Sequence, residues 1–286
     1  MKKYPFCSVI IPAYNTEKTI SLLLESLVKQ DYQGEYEVIV VDNRSTDATV
    51  GEVEKFSHVR ILHERDIQSS YAARNRGIKN AEGEVLAFID ADCIASENWF
   101  KKGIGEMTQR KADLVAGEVV FTFENKQPSV YEYLDSVRKL KQETYVQKGF
   151  GATANLFVRK QVFKKIGFFR QDLQSGGDYE FGKRATKNGL RLHYSNKAYV
   201  FHPARSTFGE LIKKTKRVAR GLAQLQKMNL LEENKLSFLS FLPILSVPQN
   251  RDYKHFSIWN KTLMLTIANY IKYTSLSYRL YYLITL

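Results

Sequence analysis

Cysteine is scarce in this chain: Cys7 and Cys93 are the two in 286 residues. One falls within a predicted strand and the other at the end of one, which excludes a disulfide framework and points to a reducing compartment. Residues 1–14 contain Pro5 and Pro12 and leave no apolar run of the length a secretion signal needs. The apolar stretch 238–247 is interrupted by Pro243 and is too short to cross a bilayer. No internal repeat or low-complexity tract is visible, so repeat architectures are excluded as well. Acid is in deficit: 30 Asp and Glu stand against 43 Lys and Arg, a net charge of +13. That balance implies an anionic partner, whether nucleic acid, a membrane surface or a phosphorylated substrate, and charge alone does not choose among them.

What is present suits a globular protein. Hydrophobic residues make up 44% and charged residues 26%, in a length that accommodates one large α/β domain or a domain with an appendage. The chain is organised around residues 84–93, where Val85-Leu-Ala-Phe-Ile89 ends abruptly in Asp90-Ala-Asp92. The run reads as a strand buried on both faces. If the backbone stays extended, Asp90 and Asp92 point the same way and Ala91 points elsewhere. Two close carboxylates invite a divalent cation, and hard oxygen ligands suit Mg²⁺ or Mn²⁺. The same residues also fit a strand-end turn, and Asp92 fits a cap for the helix expected near Glu97, although Ser96 is better placed for that. Glu52-Val53-Glu54 has the same spacing and reads as a solvated helix face.

Upstream, residues 6–11 read as the first strand, closed by Pro12-Ala13-Tyr14-Asn15, with Thr16 as N-cap of a helix through residue 29. A second strand at 36–41 ends at Asp42 before the turn Asn43-Arg44-Ser45-Thr46-Asp47, a helix runs to about 56, and a strand covers 59–63. Strands alternating with helices predict a parallel sheet with right-handed crossovers. Ligands in such sheets lie beyond the carboxyl ends of the strands, where Tyr14, Asp42, Asp90 and Asp92 fall. The helix expected over 69–81 carries Arg74, Asn75, Arg76 and Gly77; Arg74 reads either as a diphosphate partner or as part of a solvated face.

Downstream, helices are expected at 97–110 and 129–147, with a strand at 113–123 between them. Residues 149–158 are small and then apolar, and backbone can approach a ligand closely at such glycines. In the stretch 175–184, Asp178 stands where a helix begins, with Tyr179 and Phe181 able to shield it; it suits a general base, or a mere N-cap. His202 closes a strand before Pro203, and an isolated histidine is more often structural than a ligand. The helix expected over 206–229 carries Leu211, Val218, Leu222 and Leu225 on one stripe and Lys and Arg on the rest, which suits anionic lipid, a phosphorylated acceptor or a solvated face. In the tail 254–286, Lys254, Lys261, Lys272 and Arg279 fall within about 20° of one another on a helix. The tail thus reads as lying in a membrane interface or as packed on the core.

Four motifs in order resemble family 2 glycosyltransferases of the GT-A fold: Ser8-Val-Ile-Ile-Pro-Ala-Tyr-Asn15, Val40-Val-Asp-Asn-Arg-Ser-Thr-Asp47, Ala73-Arg-Asn-Arg-Gly77 and Phe88-Ile-Asp-Ala-Asp92. The resemblance covers about residues 6–225. It implies a Rossmann-like, mostly parallel central sheet flanked by helices over 1–230, with a nucleotide-sugar half (1–110) and an acceptor half (111–230); the residues at 231–286 read by themselves as a helical C-terminal segment, either membrane-associating or packed on the domain. It further implies an inverting, metal-dependent transfer of sugar from a nucleotide-diphosphate sugar, UDP-sugar favoured, to a hydroxyl of a glycan or lipid-linked acceptor. Pro12, Tyr14, Asn15, Asp42, Arg74, Asn75, Asp90, Ala91 and Arg205 would bind the donor. Asp90, Asp92 and His202 would hold Mn²⁺ or Mg²⁺, Asp178 would be the base, and Gly151, Thr153, Asn155 and Glu180 would meet the acceptor, with Glu180 the alternative base. Two departures stand out. Many relatives carry two acids where this chain has Asp42-Asn43, and Gly177 and Glu180 replace the first and last acids of a Glu-Asp-x-Asp pattern.

The acceptor expected is an envelope or extracellular polysaccharide, approached in the cytoplasm at the inner face of the cell membrane, with no nucleic acid involved. A basic binding module without catalysis would account for the charge but not for carboxylates gathered at strand ends. A sugar nucleotidyltransferase would need a glycine-rich, arginine-containing loop after the first strand, where Pro12-Ala13-Tyr14-Asn15 stands.

Overall fold

Apolar runs that do not alternate build the first half of the sheet. In the computed structural model, which describes residues 4–138, 140–231 and 238–285, these are β1 (Cys7–Ala13), β2 (Tyr36–Asp42), β3 (Val59–His63) and β4 (Val85–Ile89). Between them run α1 (Ile20–Val28), α2 (Thr49–Glu54) and α3 (Ser70–Asn80). Every residue of β4 is buried, and every residue of β1 except Pro12, as strands covered on both faces require. β1 pairs with β2 and β4, and β2 with β3, all parallel. α3 lies close against them: a Cβ on Gly77 would stand 2.6 Å from Ile10 Cγ2, so the motif's glycine is what admits the helix.

The second half runs through β5 (Ile94–Ala95), α4 (Trp99–Gln109), β6 (Leu114–Thr122), α5 (Val130–Arg138), α6 (Gln142–Gln147) and β7 (Asn155–Arg159). It continues with α7 (Lys160–Ile166), α8 (Gly177–Lys187), β8 (Leu192–Pro203), α9 (Phe208–Lys227) and α10 (Ile258–Thr285). The sheet order is β3-β2-β1-β4-β7-β6-β8-β5. β7 is antiparallel to both β4 and β6, and β5 to β8, so the parallel arrangement expected from the alternation holds for the first four strands.

Some boundaries differ from the sequence expectation. Thr16 does not cap α1; its carbonyl accepts the N–H groups of Thr19 and Ile20, and the helix starts at Ile20. The single helix expected at 129–147 is α5 and α6, with Leu140 left-handed (φ 52°) between them. Residues 1–3, Lys139 and residues 232–237 and 286, the last two within the expected C-terminal segment, lie outside the described residues.

The chain divides into two compact units: one is the chain up to Val120 with Lys141–Asp172 and Gly177–His202, the other Phe121–Leu140, Leu173–Gly176 and the chain from Pro203 onward. In the first, Asn155 is completely buried. Its Oδ1 accepts Trp99 Nε1–H at 2.9 Å, while Nδ2 donates to the carbonyls of Glu118 (2.8 Å) and Ala198 (2.9 Å), tying α4, β6 and β8 to the start of β7. Gln142, also buried, donates to the Ala152 and Asn155 carbonyls at 3.0 and 2.9 Å and accepts from Ala152 N–H at 2.8 Å.

In the second unit, α5 and α10 share an apolar core around Tyr133, Leu134, Met264 and Ile267. Thr207 and Glu210 form a reciprocal cap at the start of α9. Buried Asp135 pairs with Lys214 (2.6 Å) and Arg205 (3.1 Å); burial opposes its ionisation, but the two cations hold its pKa below the ordinary carboxylate value. Arg279, placed by its spacing on one face with Lys254, Lys261 and Lys272, is buried and donates to Gln226 Oε1 at 3.1 Å. Among the described residues, no helix is long and apolar enough to cross a membrane.

Asn155→Ala leaves one buried donor and two buried carbonyls without partners. It should destabilise the protein by about 3 kcal/mol, read as a lowered denaturation midpoint.

Candidate active site

Strand succession reverses at β1, with β2 on one side and β4 on the other, and such a reversal opens a crevice at the carboxyl ends. The β1–β4 ladder stops at Ile10–Phe88, whereas β1–β2 continues to Ala13–Asp42. Pro12, which has no N–H to give, stands beyond that last β1–β4 pair. Next to it Tyr14 is exposed, and Asn15 adopts a left-handed conformation (φ 51°) with its Oδ1 accepting Thr46 N–H at 2.8 Å. Asp42 accepts Ser45 N–H at 3.1 Å and faces His63 Nδ1 at 3.4 Å. Asn43 donates to the carbonyls of Glu64 (3.1 Å) and Ile67 (2.9 Å). An ionised acid could not make those bonds, which is the structural reason for Asn where relatives carry a second acid.

The neighbouring strand end belongs to the Asp-Ala-Asp run. Arg74, buried on α3, donates from Nη2 to Asp90 Oδ1 at 2.5 Å and from Nη1 to the Ser70 carbonyl at 3.3 Å; its Nε is buried without a hydrogen-bond partner. Of the two readings of Arg74, the solvated face is therefore excluded. Asp92 lies on the strand-to-strand turn before β5, and the β5–β8 register, Ile94 opposite Phe201, brings His202 alongside. His202 is buried, and its Nε2 stands 3.7 Å from Asp92 Oδ1. Two ligand atoms at about 2.1 Å from a shared cation stand roughly 3.0–3.7 Å apart, so this pair fits a divalent ion. Cys93 is adjacent, with its Sγ in the same cluster. Burial, then the charges of Asp92 and Asp90, push its thiol well above the ordinary value, which makes it a poor ligand.

Asp178 opens the first turn of α8, and α3 reaches it from the other side. Tyr71 Oη–H donates to Asp178 Oδ1 at 3.3 Å, and Tyr179 N–H donates to the same oxygen at 2.9 Å. Asp178 retains some surface, yet burial raises its pKa; Tyr179 N–H and Arg74 oppose the rise, and Asp90 adds to it. A Cβ on Gly177 would stand 2.8 Å from the Tyr71 ring, so the glycine replacing the relatives' first acid makes room for this tyrosine. Glu180 is buried in a two-pronged pair with Arg184, at 2.8 and 2.9 Å.

The sequence candidates thus separate. Pro12, Tyr14, Asn15, Asp42, Arg74, Asp90, Ala91, Asp92, Asp178 and His202 belong to the first unit, at strand ends, in the turns that follow them, and on α3 and α8. Gly151 and Thr153 are buried in the segment leading into β7, whose start pairs with the end of β4 (Asn155 with Ile89). Asn75 is committed to the backbone of Phe169, donating at 2.8 Å and accepting at 3.1 Å. Arg205 lies in the second unit, paired with Asp135. Tyr71 was not singled out in the sequence; its position three residues before Arg74 on one helix face was the available signal.

The family model described as Glycosyl transferase family 2 matches residues 8–167. Glycosyltransferase AglE of Haloferax volcanii is 40% identical over 225 residues, 77% of this chain and 74% of that protein. A Methanococcus voltae protein named dolichyl N-acetyl-alpha-D-glucosaminyl phosphate 3-beta-D-2,3-diacetamido-2,3-dideoxy-beta-D-glucuronosyltransferase is 28% identical over 228 residues, 73% of this chain and 70% of that one. Among solved structures, Staphylococcus aureus TarS 1-349 in complex with UDP matches with a TM-score of 0.56 at 25% identity, over 77% of this chain and 72% of that one. A mannosyltransferase of Pyrobaculum calidifontis, solved with GDP-Man and Mn²⁺, shares the fold with a TM-score of 0.66 at 16% identity, over 99% of this chain and 88% of that one.

Gly177→Ala drives a methyl group against the Tyr71 ring. A loss of about 1–2 kcal/mol in thermal or denaturant unfolding is expected.

Proposed function

The chain belongs to glycosyl transferase family 2 and is a glycosyltransferase, and we propose that it transfers sugar with inversion from a nucleoside-diphosphate sugar, UDP-linked in the first instance, to a hydroxyl of a glycan or lipid-linked acceptor. The relatives' names and the UDP bound by TarS support that choice of donor and acceptor class. Envelope or extracellular polysaccharide synthesis at the inner face of the cell membrane is the setting proposed. The observation that carries the catalytic reading is the meeting of Asp90, Asp92 with His202, and Asp178 at one sheet end, with Arg74 among them.

Pro12, Tyr14, Asn15 and Asp42 line the side of the crevice proposed for the nucleoside. Arg74 holds Asp90 in place and limits repulsion among the acids. GT-A glycosyltransferases commonly use a divalent metal; Asp92 and His202 would hold Mn²⁺ or Mg²⁺ here, and the ion would supply charge to the leaving diphosphate. Asp178 accepts the proton of the acceptor hydroxyl as that oxygen attacks the anomeric carbon opposite the diphosphate, which gives inversion. Its raised pKa improves it as a base, and the Tyr71 hydroxyl orients the carboxylate.

A screen of UDP-, GDP- and dTDP-sugars by nucleotide release, with and without Mn²⁺, should identify one donor turned over in a metal-dependent way. If no nucleotide is released under any condition while the protein is folded, the reading fails. Asp92→Ala should abolish the metal-dependent rate, and intact transfer would remove Asp92 from the metal site. Asp178→Asn should keep donor binding and lower turnover by about 10²–10⁴-fold.

The pH behaviour follows from the same carboxyl. Because the folded pKa of Asp178 is raised, the folded state binds the extra proton and stability falls as pH rises from the unfolded value, about 3.9, through the folded one. Asp178→Asn should therefore melt no lower than wild type at neutral pH while losing turnover. The acid limb of the rate profile should lie above the ordinary aspartate range, and Tyr71→Phe, which removes a donor to the carboxylate, should move it higher.

A further inference from the structure

The C-terminal helix α10 presents its solvent-facing side in an unusual composition. Over 28 residues, about 40 Å of helix, outward positions recur every third or fourth residue from Trp259 (80% exposed) to Ile284 (84% exposed). Leu263, Tyr270, Tyr273 and Leu280 lie between them, with Thr266 and Ser277 completing the spacing. No charge falls on this stripe. The basic residues of the helix are engaged elsewhere: Lys261 Nζ lies 5.0 Å from the Tyr253 ring centroid, Lys272 Nζ donates to the Leu242 carbonyl at 2.5 Å, and Arg279 is buried. A helix on a soluble surface carries its charges outward and its apolar residues inward, so this face is reversed.

A loop extends the patch. Tyr273 Oη–H donates to the Phe241 carbonyl at 3.2 Å, which together with the Lys272 bond to Leu242 fixes a segment bearing exposed Phe241, Leu242 and Leu245 beside the stripe. Leu245 is 84% exposed.

We infer that this stripe and loop form a docking surface for an anionic lipid surface. Charge selects the occupant. α9 and α10 together carry nine Lys and Arg residues and a single acid, Glu210, and the whole chain has a net charge of +13. A second copy would bring the same excess and be repelled, whereas anionic headgroups are attracted. Trp and Tyr rings, apolar in body with one polar atom, suit the boundary between headgroups and acyl chains. The helix lies along that boundary and does not span it. The surface gives physical form to the membrane-side part of the proposed function, on which it rests for its setting, and it does not depend on the donor chemistry.

The full chain carries its own reporter, because Trp99 is completely buried and Trp259, the other tryptophan, is exposed. The chain should float with vesicles of phosphatidylcholine containing about 30 mol% phosphatidylglycerol, and far less with phosphatidylcholine alone or at high salt. Its emission should shift to the blue on binding, and Trp259→Phe should remove that shift. The double substitution Leu263→Gln with Leu280→Gln, neutral and at exposed positions, should weaken partition by about tenfold. If circular dichroism shows that variant misfolded, Tyr273→Ser with Ile284→Ser tests the same face. The proposal is overturned by wild-type protein that stays at the bottom of the gradient, by a double variant that floats as well as wild type, or by a lipid-free dimer that the double variant dissociates. Flotation and emission are read without donor or acceptor, so loss of sugar transfer bears on the catalytic reading alone.

Discussion

A guanidinium buried at the carboxyl end of the sheet is the constraint on which the site depends. Arg74 must have a counter-charge where it lies, and Asp90 supplies it at 2.5 Å. Without that cation, the charges of Asp90 and Asp178 would repel with less to oppose them, and the charge of Asp90 already raises the pKa of Asp178. Arginine suits the position better than lysine because its planar fork bonds the Ser70 carbonyl and Asp90 at once. α3 therefore does two tasks: Arg74 pairs with Asp90, and Tyr71, one turn earlier, holds the base candidate.

The change of strand direction supplies the rest of the site. Parallel β1, β2 and β4 deliver strand ends to one edge, whereas β7, antiparallel to β4, delivers its beginning there. The two-residue strand β5 recruits the end of β8, and with it His202, to the side of Asp92. Behind this edge stand two hydrogen-bonded amides, Asn155 and Gln142, whose side chains tie α4, β6, β8 and the segment leading into β7 together.

The second unit handles its positive charge by a different means. Asp135 pairs with both Lys214 and Arg205, and aromatic rings cover two further cations: Lys216 over Tyr278 at 4.8 Å and Arg220 over Tyr282 at 5.6 Å. Tyr278 and Tyr282 of the tail are thus partners of α9. The outward face of α10 is left without charge.

The amino-acid order alone was enough to determine the parallel first half, because runs such as Val85–Ile89 are buried on both faces and show no alternation. It also placed Asp42, Asp90 and Asp92 after the apolar runs, and it showed the family, because three short motifs stand at the ends of β1, β2 and β4 and a fourth lies on α3. Tertiary structure alone decided which way β7 and β8 run, that Asn155 is a cross-tie, that Tyr71 reaches Asp178 and that Arg279 turns inward. Those outcomes depend on pairings between residues far apart in the chain, and a local pattern of burial and period carries no information about which distant partner will meet a given side chain.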